Sequence, residues 1–259
     1  MDLRSGTPYW LTSNPSAPSF PPLTRDLKVE AAVIGGGITG ALVAYHLIAA
    51  GVQTVVLDKR PIGYGSTAAS TSLLLYELDI PLCELAQNIG AQDAATCYRL
   101  GIEALDRIEQ IVSEVGQRCG FARRKSFYMA ESKADFHPLL TEYRSRRKYG
   151  FVVDFLESVD IAGLFPFRRP AALLSHQAAE VDSLQLAHAV ICRPVEAGLE
   201  VYAQTEVVNY EPGRDGVVFA HHCRRNGEGK KSHLRHRLRN PRTSSPLFRQ
   251  AHKHVRHRQ

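Results

Sequence analysis

The residues best suited to chemistry on a ligand are four glycines in the order Gly35-Gly36-Gly37-Ile38-Thr39-Gly40. They spell G-x-G-x-x-G directly after the short apolar run Lys28 to Ile34 and directly before a helical stretch. In that setting Gly35 makes the tight turn, Gly37 lets a pyrophosphate approach the backbone, and Gly40 lets helix and strand pack closely. Ile38 and Thr39 open the helix, whose amino-terminal N–H groups and partial positive charge favour a phosphate. Asp58 closes the next apolar run. A carboxylate there accepts hydrogen bonds from ribose hydroxyls and repels a 2′-phosphate, which argues against NADP. It is read as contributing nothing to the core. The alternative reading is a glycine-rich turn that holds no ligand.

The elements that must hold these residues follow from hydrophobic periodicity. A strand ending at Ile34, a helix from Ile38 to Ala50 stopped by Gly51, and a strand from Thr54 to Leu57 make a βαβ unit with two parallel, central strands. Leu82 to Arg118 reads as helix with breaks near Gly90 and Gly101, since Ala94, Leu100, Ala104, Leu105, Ile108, Ile111 and Val112 recur at helical spacing. Phe121 to Met129 is a predicted strand and Pro138 to Tyr149 a charged helix. Short strands are expected at Phe151 to Phe155, Ala172 to His176 and Glu200 to Tyr202. Asp182 caps a helix from Ser183 to about Ala197, closed by Gly198. Glu206 to Tyr210 and Gly216 to Ala220 form a hairpin across Pro212, Gly213 and Asp215. Residues 1 to 27, punctuated by Pro8, Pro15, Pro18, Pro21 and Pro22, read as an extended surface arm anchored by Tyr9 and Trp10. There are no internal repeats.

A second small-residue loop, Gly63-Tyr64-Gly65-Ser66-Thr67-Ala68-Ala69-Ser70, follows the ribose-binding acid and can reach the pyrophosphate and ring of an extended FAD. With this loop included, the chain resembles the superfamily of D-amino-acid oxidase, glycine oxidase and sarcosine oxidase. The resembling segments are Ser5 to Leu11, Val33 to Leu47, Val55 to Asp58, Gly65 to Thr71, Ala178 to Asp182 and Gly198 to Val207. The resemblance covers residues 1 to about 220 and is most specific over 28 to 71.

It implies an α/β fold with an α+β insert: a Rossmann-like FAD-binding domain with a parallel sheet, interleaved with part of a substrate domain. The expected division is an arm over 1–27, the FAD-binding βαβ unit over 28–72, a helical partial substrate domain over 73–182, a return to the FAD-binding domain over 183–220 and a tail over 221–259. It implies FAD as cofactor, held by Gly35, Gly37, Ile38, Thr39, Gly40, Asp58, Lys59, Gly65, Ser66, Thr67 and the backbone at Val207, which would face the adenine. It implies hydride transfer from a small-molecule amine or amino acid to the flavin. No catalytic base is named, and Tyr128 is a candidate pocket residue or else core.

Charge and cysteine usage bound the remaining classes. From His221 to Gln259 there are 12 Lys or Arg against one acid, so a net of +6 is an acidic body with a basic appendix. Cys83, Cys97, Cys119, Cys192 and Cys223 are spread without a C-x-x-C pair, which fits reduced, structural thiols and a cytoplasmic protein. No secretory signal or membrane span is expected.

The resemblance breaks in the tail. Family members continue into a strand closing on A-T-G and then a second half, whereas this chain gives H-L-R-H-R-L-R-N-P at His233 to Pro241. Back-translating Gly227 to Pro241 with ordinary codons and reading one nucleotide later permits A-K-G-K-K-V-I-F-A-T-G-Y-E-T-P. The tail is therefore expected to be a disordered frameshift product, switched near residues 216 to 230, and the fold incomplete. Nucleic-acid binding by its bases and metal binding by His252, His254 and His257 are set aside, since shifted GC-rich frames are rich in Arg, His and Pro. The rival readings are an inactive truncated fragment and an NAD-binding dehydrogenase domain.

Overall fold

A computed structural model describes residues 6–213 and 216–223. The frameshift and disorder expected of residues 224–259, the histidines of that stretch, and Asp215 of the hairpin turn lie outside the described residues. In chain order the elements are α1 (Tyr9–Ser13), β1 (Ala31–Ile34), α2 (Ile38–Ala49), β2 (Thr54–Leu57), β3 (Leu73–Leu75), α3 (Leu82–Ile89), α4 (Ala91–Glu114), β4 (Ala122–Met129), α5 (Phe136–Lys148), β5 (Val153–Glu157), α6 (Ser158–Leu164), β6 (Ala171–Glu180), α7 (Ser183–Val195), β7 (Glu200–Tyr202), β8 (Thr205–Gly213) and β9 (Gly216–Cys223). The chain divides into two compact units, one of residues 1–69 with 187–259 and one of Ser70–Leu186. Helix α7 crosses the second boundary.

The first unit holds a parallel sheet in the order β1-β2-β7. All four residues of β2 are buried, as expected of a strand covered on both faces. Val33 pairs with Val56, and Val56 pairs in turn with Val201. Gly51, at φ +74, receives the chain as it leaves α2. Strands β8 and β9 pair antiparallel, with an irregularity between Val207 and Asn209. Because β9 runs to Cys223, it takes in three residues assigned to the tail.

The amino-terminal arm departs from expectation twice. Tyr9–Ser13 is a short helix, and it starts after Pro8, whose fixed φ suits a helix entry. Nor does the whole arm lie on the surface. Leu23, 1% exposed, and Leu27 are buried with Val29, Val55 and Leu57. The Leu23 N–H donates to Thr205 Oγ1 at 3.0 Å, and Pro21 O accepts from the Ala203 N–H. A proline-rich segment thus adds apolar side chains to the core without entering the ladder.

The second unit is an antiparallel sheet around β6, with β4 on one side and β5 and β3 sharing the other. Tyr76, Leu82, Tyr98, Leu105 and Phe151 form one core and Leu139, Val153, Ala171 and Leu173 another. Arg146, 3% exposed, lies at 2.6 Å from Glu142, itself 2% exposed, and at 3.2 Å from Glu77. Glu142 also accepts the Leu82 and Cys83 N–H groups, both at 2.9 Å, and so caps α3 from outside its own sequence. Burial works against the Arg146 charge, but the hydrogen bond and charge of Glu142 outweigh it and hold the guanidinium above its ordinary range.

The predicted break at Gly101 is absent, and α4 runs unbroken through it. A Cβ there would lie 2.8 Å from the Tyr76 carbonyl oxygen, so this glycine serves close packing, not termination. The break at Gly90 is real, with φ +91 between α3 and α4. Helix α6 and strand β3 were not anticipated.

Candidate functional site

The glycine turn sits at the carboxyl end of β1, where the central strand β2 also ends. Gly35 adopts φ +105 and its N–H donates to Leu57 O at 2.8 Å, which ties the turn to β2. Gly37, extended, is the residue before the first turn of α2. A Cβ on Gly37 would lie 2.9 Å from Thr67 Oγ1, and one on Gly40 would lie 1.9 Å from Gly35 O. No side chain fits at Gly40 unless helix and strand separate. Ile38 donates its N–H to Thr67 Oγ1 at 2.9 Å, and Thr39 beside it is exposed.

That hydrogen bond brings the two sequence-predicted loops together. Residues Ser66–Ala69 form a 3-10 turn with Thr67 and Ala68 buried, while Ser66 is exposed and Gly65 half-buried. The hydroxyl-bearing loop therefore lies against the amino-terminus of α2.

Asp58, half-buried after β2, does more than the sequence suggested. Its Oδ2 accepts the Gly36 N–H at 2.6 Å and its Oδ1 the Arg60 N–H at 2.7 Å. The expectation that it contributes nothing to the fold is corrected: its carboxylate holds the middle glycine of the turn. A carboxylate offers about four lone-pair sites, so acceptor capacity remains for hydroxyl donors. Lys59 lies 3.7 Å from Glu206, both partly exposed. Val207 packs against the Leu23, Val55 and Leu57 core and pairs with His221.

Tyr128 belongs to the second unit. It is half-exposed on β4 opposite Leu173. Residues the sequence reading passed over are Gly36, Ile62 and His188. Gly36 is buried, donates to Asp58, and accepts the Gly63 N–H at 2.9 Å. The signal for Gly36 was present, as the middle member of three glycines; nothing in the local pattern marks His188.

The arrangement fits a dinucleotide. A backbone turn without side chains faces a helix amino-terminus, with a hydroxyl on one side and a carboxylate one strand away. Among the described residues no group of His, Cys, Asp and Glu could hold a metal ion, and no helix is long and apolar enough to cross a membrane. Cys83, Cys97, Cys119 and Cys192 are free thiols, and burial pushes Cys83 and Cys119 up to about 11.

Comparison with known proteins agrees with this geometry. Residues 30–235 match the family described as DAO, FAD dependent oxidoreductase, which extends past residue 220, where the resemblance was expected to stop. The chain is 27% identical over 205 residues to YhfW of Bacillus subtilis, a provisional Rieske 2Fe-2S iron-sulfur protein, covering 79% of this chain and 39% of that one. It is 26% identical to gamma-glutamylputrescine oxidoreductase of Escherichia coli, covering 69% and 42%. Glycine oxidase from Geobacillus kaustophilus superposes with TM-score 0.62 at 20% identity, covering 79% of this chain and 53% of that one. The chain spans about half or less of the length of these proteins. The parallel sheet, the glycine turn and the match over most of the sequence agree, and the chain belongs to the family of FAD-dependent oxidoreductases.

Proposed function

We propose that the chain binds FAD and represents the cofactor-holding part of an oxidoreductase acting on a small amine or amino acid. The observation that carries this reading is the pinch between the two loops: the Ile38 N–H bonded to Thr67 Oγ1, beside a Gly37 that leaves no room for a side chain. The pyrophosphate would lie over Gly35, Gly37, Ile38, Thr39 and Gly40, within reach of Gly65, Ser66 and Thr67. The ribose would meet Asp58, with Lys59 and the Val207 backbone on the adenosine side. FAD, when bound, supplies a two-electron acceptor for the hydride on the carbon that bears the amine. The protein's part is to orient that carbon and exclude water. Relatives named for glycine and gamma-glutamylputrescine support an amine or amino-acid substrate. The free thiols support a cytoplasmic setting, and no specific nucleic-acid partner is proposed.

A second reading concerns this chain by itself. Strand β1 has no neighbour on its outer side among the described residues, and Ile34 at its end is 51% exposed. That open edge favours a chain that binds FAD weakly, aggregates readily and does not turn over substrate alone. The test is titration of the purified chain with FAD, NAD and NADP, followed by an amine-oxidation assay and resequencing of the gene around the codons for Ala220 to Lys231. Binding of FAD over both nicotinamide dinucleotides is expected. Preference for NAD would overturn the cofactor assignment, and turnover by a stable flavin-bound monomer would overturn the second reading.

A further inference from the structure

We propose that His188 is a positioning residue for the dinucleotide-binding turn, acting through the Ile62 carbonyl; this rests on the FAD reading above. His188 lies on α7, 8% exposed, with Nε2 at 2.9 Å from Ile62 O. A carbonyl oxygen only accepts, so Nε2 carries the proton and donates. The bond crosses 126 positions of sequence and lands between Asp58 and the hydroxyl-bearing loop.

What it fixes is the layer directly behind the glycine turn. Ile62 is 1% exposed, and its Cδ1 would be 2.4 Å from a Cβ on Gly36. The next residue, Gly63, adopts φ +80 and donates its N–H to Gly36 O at 2.9 Å. Gly36 in turn donates to Asp58 at 2.6 Å. One chain of contacts therefore runs from the α7 imidazole through the Ile62–Gly63 backbone to the turn and the carboxylate. Deleting the donor leaves Ile62 O buried without its partner, and the peptide that braces Gly36 becomes free to rotate toward solvent.

The donor's reach separates positioning from simple filling of space. From a helix, the glutamine amide nitrogen reaches where the imidazole Nε2 stands, whereas the asparagine amide stops at the level of Nδ1. His188→Gln should keep the bond; His188→Asn and His188→Leu should lose it. The experiment measures FAD affinity by quenching of flavin fluorescence. It also measures amide hydrogen exchange at Gly63 in the flavin-free chain, which a side chain that only filled space would leave unchanged. His188→Gln should stay within about twofold of the parent, and His188→Asn and His188→Leu should each bind about tenfold more weakly, with Gly63 exchanging about tenfold faster. Parental affinity and Gly63 exchange in both of these variants, or a glutamine variant no better than asparagine, would overturn the proposal. If the parent binds no FAD, the cofactor reading falls while the Gly63 exchange comparison still decides the role of His188. If the leucine variant does not fold, the glutamine and asparagine pair carries the test.

Discussion

Replacing Asp58 with alanine removes an acceptor that serves the protein and, on the proposed reading, the ligand as well. In the flavin-free chain the carboxylate takes the Gly36 N–H at 2.6 Å and the Arg60 N–H at 2.7 Å. Gly36 is buried, so its amide is left without an acceptor at a cost of about 2 kcal/mol. Arg60 is half-buried, and water replaces much of what its amide loses. A separate loss appears on binding: two ribose hydrogen bonds to a charged acceptor contribute about 3 kcal/mol, or about 150-fold in Kd. The two losses are read independently, by urea unfolding of the flavin-free chain and by fluorescence titration with FAD. Asp58→Asn keeps one carbonyl acceptor but presents an N–H donor to the other amide, so it should fall between parent and alanine in both assays. An alanine variant with the parental urea midpoint would refute the structural role. Parental FAD affinity would refute the ribose assignment.

Gly37→Val should abolish FAD binding, because even its Cβ meets Thr67 Oγ1 at 2.9 Å and a branched side chain fills the pyrophosphate position; a yellow, flavin-loaded variant would show the turn to be structural only. Arg146→Met should destabilise the chain by about 3–5 kcal/mol, since it leaves the buried Glu142 and half-buried Glu77 carboxylates without their counter-charge, and an unchanged urea midpoint would contradict this. Cys119 gives a pH signature: burial pushes its thiol up to about 11 from an unfolded value of 9.0, so the folded state holds the proton more tightly. That stabilisation is complete below about pH 9 and is lost as the pH rises through about 11. Thermal midpoints should accordingly fall less steeply over that range in Cys119→Ala than in the parent, and identical slopes would oppose the assignment.

What could be read from the sequence was what depends on spacing. The run Thr54–Leu57 is a strand at the predicted limits because four consecutive apolar or β-branched residues between a turn and an acid leave little choice. Glycine was ambiguous in the same chain for a physical reason. Gly90 and Gly101 look alike in sequence, yet one adopts a positive φ and ends a helix, while the other lets a helix approach the Tyr76 backbone. The packing partner that distinguishes them lies far along the chain. Helix α6 was missed because its cap is Glu157, paired with Asp160, and not one of the usual Ser, Thr, Asp or Asn signals. At the candidate site, types and order pointed to Gly35 through Gly40, Asp58 and the hydroxyl loop. The attachment of Asp58 to Gly36, and of His188 to Ile62, depends on distances that no local pattern records.

The hydrogen bond between Ser72 Oγ and Ser183 Oγ, at 2.8 Å across 111 positions, bears on how quickly the first unit can assemble. Pairing of Val55 with Glu200 closes a loop of about 145 residues in an unfolded chain, and the entropy of that closure opposes the β2–β7 contact. Once the inserted unit has formed, its entry and exit are adjacent and the loop left to close is about 35 residues, which lowers the cost by about 1 kcal/mol. Within the inserted unit the pairings of β4 and β5 with β6 span far fewer positions than the β2–β7 pairing, from Glu157 with Ala171 to Ala122 with Glu180. That unit should therefore form first and hasten the parallel pairing, so that substitutions at Ser72 or Ser183 slow refolding of the sheet.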